Sequence, residues 1–127
     1  MPEARAKRTV PPRKTGLNHL IASTRYSCAG FRRALHEAAF RQELVAFAIV
    51  MAWQVGLQSP LLLILAQAVA GFVLLATEAL NTAIEEVVDH LTPEYSTMGK
   101  NAKDLGSFAV CCLLVANGLI ALAAFFV

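Results

Sequence analysis

Charged positions partition this chain before any motif does. Every Lys, Arg, Asp and Glu lies within residues 1–43 or 78–104, and residues 44–77 and 105–127 contain none. A helix needs about 20 apolar residues to cross a bilayer. The 34-residue uncharged run is too long for one crossing, and Gln54-Val-Gly-Leu-Gln-Ser-Pro60 breaks it with turn-forming residues. The pattern predicts three membrane spans over about 40–57, 61–83 and 105–127, the first extending back through Ala38-Ala39-Phe40. Pro60 precedes the second, where it suits a first helical turn.

Upstream, Leu17, Leu20, Ile21, Thr24, Cys28, Phe31 and Leu35 recur at helical spacing, with Asn18, His19, Arg25, Arg32 and Arg33 mostly elsewhere. This predicts an amphipathic helix over about 17–36 lying in the membrane interface, with Gly30 as a bend. Packing against the spans is an equally compatible reading. Residues 1–15 are basic, contain three prolines and have little to bury, so they are expected to be a disordered tail attracted to anionic headgroups. Residues 16–127 are then one domain, without internal repeat.

Composition agrees with a membrane protein. The chain is 57% hydrophobic and 16% charged, against about 45–50% and 25% in soluble domains. Basic residues stay on the cytoplasmic side, so the N-terminus and the 85–104 loop are expected there, with the 54–60 turn and Val127 outside. No cleaved signal peptide is expected, because no apolar core follows the basic opening until residue 44. Cys28, Cys111 and Cys112 lack metal-ligand spacing and read as small packing residues. Gly106, Ser107, Ala109, Asn117 and Gly118 would let the third span approach another helix closely.

The candidate chemistry sits where the apolar pattern of the second span gives way. In EALNTAIEEVVD, residues 78–89, the side chains of Glu78, Asn81, Glu85 and Asp89 share one helix face. Carboxylates at membrane depth are costly and normally face a protein interior or a wet cavity where they act. Phosphoryl transfer needs neutralisation of phosphate oxygens and a group that orients or deprotonates the attacking hydroxyl. Glu37, Glu85 and Asp89 offer hard oxygen ligands, Lys103 a phosphate partner, and Glu78 a deeper base. The chain has no GxGxxG, and Gly99-Lys100 lacks the remainder of a P-loop.

Plainer readings compete with these. Glu86 and Glu94 read as a solvated helix end, and Lys103-Asp104 could be a boundary anchor. Asn81 could be an interhelical hydrogen-bond partner. His19, His36 and His90 read as interfacial. By spacing alone two classes stay open, an enzyme acting on a lipid headgroup and a small proton-coupled exporter using Glu78. The additional Asn81, Glu85, Asp89 and the Lys103-Asp104 pair favour the enzyme.

EAAFRQE (37–43), EALNTAIEEVVD (78–89) and NAKDLGS (101–107), in that order and separation, closely resemble the prokaryotic diacylglycerol kinase family, over about residues 16–127. The resemblance implies an all-α integral membrane fold, three transmembrane helices plus the N-terminal interfacial helix, assembled as a homotrimer with sites shared between subunits. It implies ATP-dependent phosphorylation of 1,2-diacylglycerol to phosphatidic acid at the cytoplasmic face of the bacterial inner membrane. It implies Mg2+ carried with ATP and coordinated by Glu37 and Glu85, Glu78 as general base, and Asn81 as an organising group. Lys103 and Asp104 would serve catalysis and the nucleotide, Tyr26 of the TRYS segment would contact the nucleotide, and Ala39, Phe40, Arg41, Gln42 and Glu43 would lie against the lipid with Glu78. Membrane lipids are the surroundings expected, and no nucleic acid is. Relatives that phosphorylate undecaprenol typically carry an ERN-type sequence in place of EAAFRQE. The chain departs from the family in carrying His19 where many members are basic, in a segment one residue shorter between Gly30 and Glu37, and in Trp53 standing about a turn early.

Overall fold

The computed structural model describes residues 16–91 and 94–127. The tail predicted over 1–15, together with Thr92 and Pro93 of the 85–104 loop, lies outside them. The described residues form four helices, α1 (Leu17–Ala34), α2 (Ala38–Gly56), α3 (Leu61–Leu91) and α4 (Thr97–Ala123), and no strand. Residues up to Arg32 form one unit, and Arg33–Val127 form a second.

In the first unit α1 begins after Gly16, which adopts a left-handed backbone. Leu17, Leu20, Ile21 and Phe31 are exposed along it. The helix runs unbroken through Gly30 to Ala34. A lone glycine permits a bend without compelling one.

In the second unit a tight turn carries the chain from Arg33 to Glu37, closed by His36 N donating to Arg33 O and Glu37 N to Ala34 O. Glu37 then occupies the N-cap of α2 with extended backbone, and its side chain makes no capping bond. Arg41 Nη1 donates to the carbonyls of Leu35 and His36, both at 3.0 Å. It thereby satisfies carbonyls of the turn that follows α1. At the far end α2 stops at Gly56, and Gln58 takes a left-handed backbone that reverses the chain. Pro60 stands just before α3, its carbonyl accepting from Leu63 and Ile64. Ser96 caps α4, with Oγ accepting from Gly99 N at 3.0 Å.

The helices and the sequence-derived spans do not share their ends. α3 has 31 residues and α4 has 27. At 1.5 Å per residue α3 is about 46 Å long, well beyond a hydrocarbon core of about 30 Å. Charge marks where lipid ends; it does not mark where a helix ends, since Glu85, Glu86 and Asp89 continue α3 readily. α3 and α4 are both long and apolar enough to cross a bilayer. α2, over which the first span is predicted, offers no membrane-length stretch as apolar as theirs, because Arg41, Gln42 and Glu43 near its start and Gln54 near its end interrupt it.

Burial in this unit inverts the soluble pattern. Ala34, Phe40 and Leu75 form a small core with Leu35, Leu44, Phe47 and Ala79 packed against it. The rings of Phe47 and Phe72 meet edge to face at 5.7 Å, and Trp53 stacks obliquely on Phe125 at 4.8 Å. Most large apolar side chains are exposed, including Leu62, Phe72, Leu80, Phe108 and Leu119, whereas Gln54, Gln67, Glu78 and Asn81 are buried. Apolar-out and polar-in suits a helix set whose surroundings are lipid or another protein. Cys111 and Cys112 are likewise exposed, so this chain alone does not provide the packing expected for them.

Candidate functional site

One cavity, of about 660 Å³, runs between α2, α3 and α4. Four carboxylates line it: Glu37 at the N-cap of α2, Glu43 one and a half turns on, and Glu78 and Glu85 on α3. Asn81 and Thr82 join them. Among the described residues the lining contains no Lys, Arg or His. The grouping of Glu78, Asn81 and Glu85 follows from helical spacing, since seven residues are close to two turns. Glu78 is only 5% exposed, and it stands near enough to Glu85, Glu37 and Glu43 for their charges to interact.

Asn81 is tied to both the site and the neighbouring helix. Its Nδ2 donates to Glu85 Oε1 at 3.2 Å, and its Oδ1 is buried without a hydrogen-bond partner. Gly106 of α4 is what lets that amide fit: a Cβ at Gly106 would lie 2.2 Å from Asn81 Oδ1. Asn81 therefore bonds Glu85 on its own helix and packs against Gly106 of α4 with one side chain.

Deeper in, the cavity is bounded by Gln67 and Asn117. Gln54 Nε2 donates to Gln67 Oε1 at 3.3 Å, Gln67 Nε2 donates to Asn117 Oδ1 at 2.8 Å, and Asn117 Nδ2 donates to the carbonyls of Ala70 and Leu113. This ladder joins α2, α3 and α4 and satisfies most of its buried amide groups, Gln54 Oε1 excepted. Sequence reading missed Gln67, yet a signal was present. Eleven residues before Glu78 is three turns, which puts Gln67 within about 20° of the same face.

The remaining residues singled out by sequence are distributed elsewhere. Asp89, expected on the Glu78 face, accepts from Lys103 Nζ at 2.5 Å. Lys103 and Asp104 line a separate, smaller pocket of about 320 Å³ with Asp89, Glu94, Tyr95 and Lys100. Asp104 is bonded there to Lys100. Of the segment expected against lipid, Ala39, Gln42 and Glu43 line the main cavity. Phe40 is in the core and Arg41 is engaged with the turn at Leu35 and His36, and neither is in the lining. Tyr26 is exposed on α1.

Arg33 was not singled out by sequence. Its Nη1 donates to Glu37 Oε1 at 2.6 Å and its Nη2 donates to Glu86 Oε1. These bonds, to Glu37 first and Glu86 second, raise the guanidinium pKa further above its already high value. Glu86, read as solvated, is thus exposed and paired.

The donor set suits a hard divalent cation. Mg2+ typically takes one or two carboxylates together with substrate phosphates and waters, and Glu37 and Glu85 supply two in a lining without cationic side chains. No cluster of three or more His, Cys, Asp or Glu able to hold a metal occurs among the described residues.

Known proteins similar to this chain share one name, diacylglycerol kinase. A diacylglycerol kinase from Sinorhizobium is 50% identical over 109 residues, covering 86% of this chain and 80% of that protein. The diacylglycerol kinase of Escherichia coli K12 is 38% identical over 104 residues (80% and 84%). That of Haemophilus influenzae is 36% identical over 107 residues (84% and 91%). These names favour neither the undecaprenol nor the exporter reading. The family model of prokaryotic diacylglycerol kinases matches residues 25–125, and the chain belongs to that family.

Proposed function

We propose that this chain transfers the γ-phosphoryl group of ATP to the free hydroxyl of 1,2-diacylglycerol, giving phosphatidic acid and ADP. The observation that carries the reading is the cavity itself, in which four carboxylates and an amide converge with no basic side chain in the lining. A cavity so charged repels bare phosphates and accepts them with a divalent cation. Bound with ATP, Mg2+ would neutralise phosphate oxygens.

On this reading Glu37 and Glu85 would hold the metal-nucleotide. Glu78, about 10 Å further along α3 at 1.5 Å per residue, meets the lipid hydroxyl. As the hydroxyl oxygen bonds to phosphorus and the bond to ADP breaks, Glu78 takes the proton. Asn81 keeps Glu85 oriented through its 3.2 Å bond. Ala39, Gln42 and Glu43 border the lipid, with Phe40 and Arg41 supporting that segment from behind. Lys103 and Asp104, in their pocket beside Tyr95, serve the nucleotide with Tyr26. Holding these groups in geometry supplies most of the catalysis, because phosphoryl transfer asks little covalent chemistry of the protein.

The reading includes α2 as a third span and α1 as an interfacial helix in the bacterial inner membrane. The N-terminus and the 85–104 loop are cytoplasmic, as the basic residues favour. It also includes a homotrimer, in which neighbours cover the exposed apolar faces and contribute to each site. The test offers purified chain in detergent, with magnesium and labelled ATP, diacylglycerol and undecaprenol separately. Labelled phosphatidic acid as the main product supports the proposal. Preferential labelling of undecaprenol overturns the substrate, and no transfer to either lipid overturns the activity.

A further inference from the structure

Arg33 has no role in the reaction described so far, yet it is bonded to one of the proposed metal ligands. From the last turn of α1 it reaches Glu37 at the N-cap of α2 and Glu86 on α3. Glu86 directly follows Glu85, the other proposed ligand. A single guanidinium therefore sets Glu37 against the stretch of α3 that carries Glu85. The planar fork of arginine suits this task, because its donors are fixed relative to one another, which a lysine ammonium cannot match.

The surrounding charge gives the contact its purpose. Glu37, Glu43, Glu78 and Glu85 line the cavity together, and among the described residues Arg33 is the basic side chain bonded to any of them. Glu37 lies at the edge of this group and has no capping bond of its own. Without Arg33, repulsion would favour turning its carboxylate out to water. Arg33 engages Glu37 through Oε1, leaving Oε2 for a ligand. Both ion pairs are about half exposed, and such pairs contribute little to folding stability. Their effect is expected in orientation, as with the outer partners that fix metal-ligating carboxylates elsewhere.

We propose that Arg33 is a positioning residue for Glu37, anchored through Glu86, and that it presets the divalent-cation side of the site before the nucleotide arrives. The proposal rests on the reading of Glu37 as a metal ligand. It is tested on the full chain in detergent by electron paramagnetic resonance titration of Mn2+ with an ATP analogue bearing a nitrogen β–γ bridge. Arg33→Gln should weaken Mn2+-analogue binding about tenfold, the lower end of the range for outer partners of metal ligands. Arg33→Lys should fall between Arg33→Gln and the unaltered chain. Glu86→Gln should weaken binding in the same direction, and Arg33→Gln/Glu86→Gln should be no worse than Arg33→Gln alone, since Glu86 acts through Arg33. Thermal unfolding should barely change. If Glu37→Gln weakens binding and Arg33→Gln does not, the positioning role is wrong while the ligand reading stands. Loss of binding only in step with a lowered unfolding temperature also overturns it. If Glu37→Gln itself binds normally, the ligand reading fails and takes this proposal with it.

Discussion

Gly106→Ala adds one methyl group to α4 and is expected to disable the site from the adjoining helix. The new Cβ would stand 2.2 Å from Asn81 Oδ1 and 3.2 Å from its Cγ, where contacts under 3.0 Å are essentially never found. Asn81 or α4 must therefore retreat by at least 0.8 Å, the difference between 2.2 and 3.0 Å. Exchanging the amide's oxygen and nitrogen brings no relief, because either atom meets the methyl. Asn81 is buried, so a retreat disturbs its neighbours and breaks the 3.2 Å bond to Glu85. Overpacking of this kind costs about 1–3 kcal/mol, while alanine regains up to about 1 kcal/mol of helix propensity over glycine. The variant should be less stable by about 0–2 kcal/mol on those two terms. A misplacement near 1 Å can lower the rate about 10²-fold, so kcat for lipid phosphorylation should fall by about 10–100-fold. The assay follows labelled phosphate into lipid, beside thermal unfolding in the same detergent. Adding Asn81→Ala to Gly106→Ala removes the overlap, so stability should recover while activity stays low. A Gly106→Ala chain that is more stable than the original and turns over normally would refute the contact and the role given to it.

Glu37→Gln and Glu85→Gln should each raise the magnesium concentration needed for half-maximal activity, and excess magnesium should restore part of the rate; a magnesium profile unchanged in both variants contradicts the ligand assignment. Gly71→Ala would bring a Cβ to 2.2 Å from the Phe47 ring, forcing the ring off Phe72 and into the cavity it lines. That change should lower stability by about 1–3 kcal/mol and weaken lipid use, and unfolding identical to the unaltered chain would show that the ring moves freely.

Much of the helix plan was legible because it depends on local or near-local rules. The absence of charge over 44–77 and the turn residues before Pro60 identify the α2–α3 hairpin, and 3.6-residue spacing brings Glu78, Asn81 and Glu85 to one cavity. Boundaries were less legible, since the charged end of α3 suits helix in water as well as loop. Asp89 shares the Glu78 face by angle yet pairs with Lys103, because angle alone does not say which neighbour lies opposite each turn. Arg33 was invisible for a related reason. It meets Glu86 across 53 positions of sequence, and Glu86 lies about 100° round the helix from the face being followed. By sequence Gly106 is a generic small residue, and only helix packing sets the Asn81 amide against it. Gln54 read as part of a turn, whereas it belongs to the amide ladder with Gln67 and Asn117.

The central claim is that the carboxylate cavity divides its work, with Glu78 acting on the lipid hydroxyl and Glu37 and Glu85 on the metal-nucleotide. It is tested most directly by single-turnover kinetics of Glu78→Gln, with binding of the Mn2+-ATP analogue measured on the same preparation. Loss of a general base typically lowers a rate about 10²–10⁴-fold. The expected result is phosphoryl transfer reduced by that order while analogue affinity stays within about twofold, well inside the tenfold that 1.4 kcal/mol represents. Transfer at the unaltered rate, or analogue binding lost together with transfer, would contradict the division.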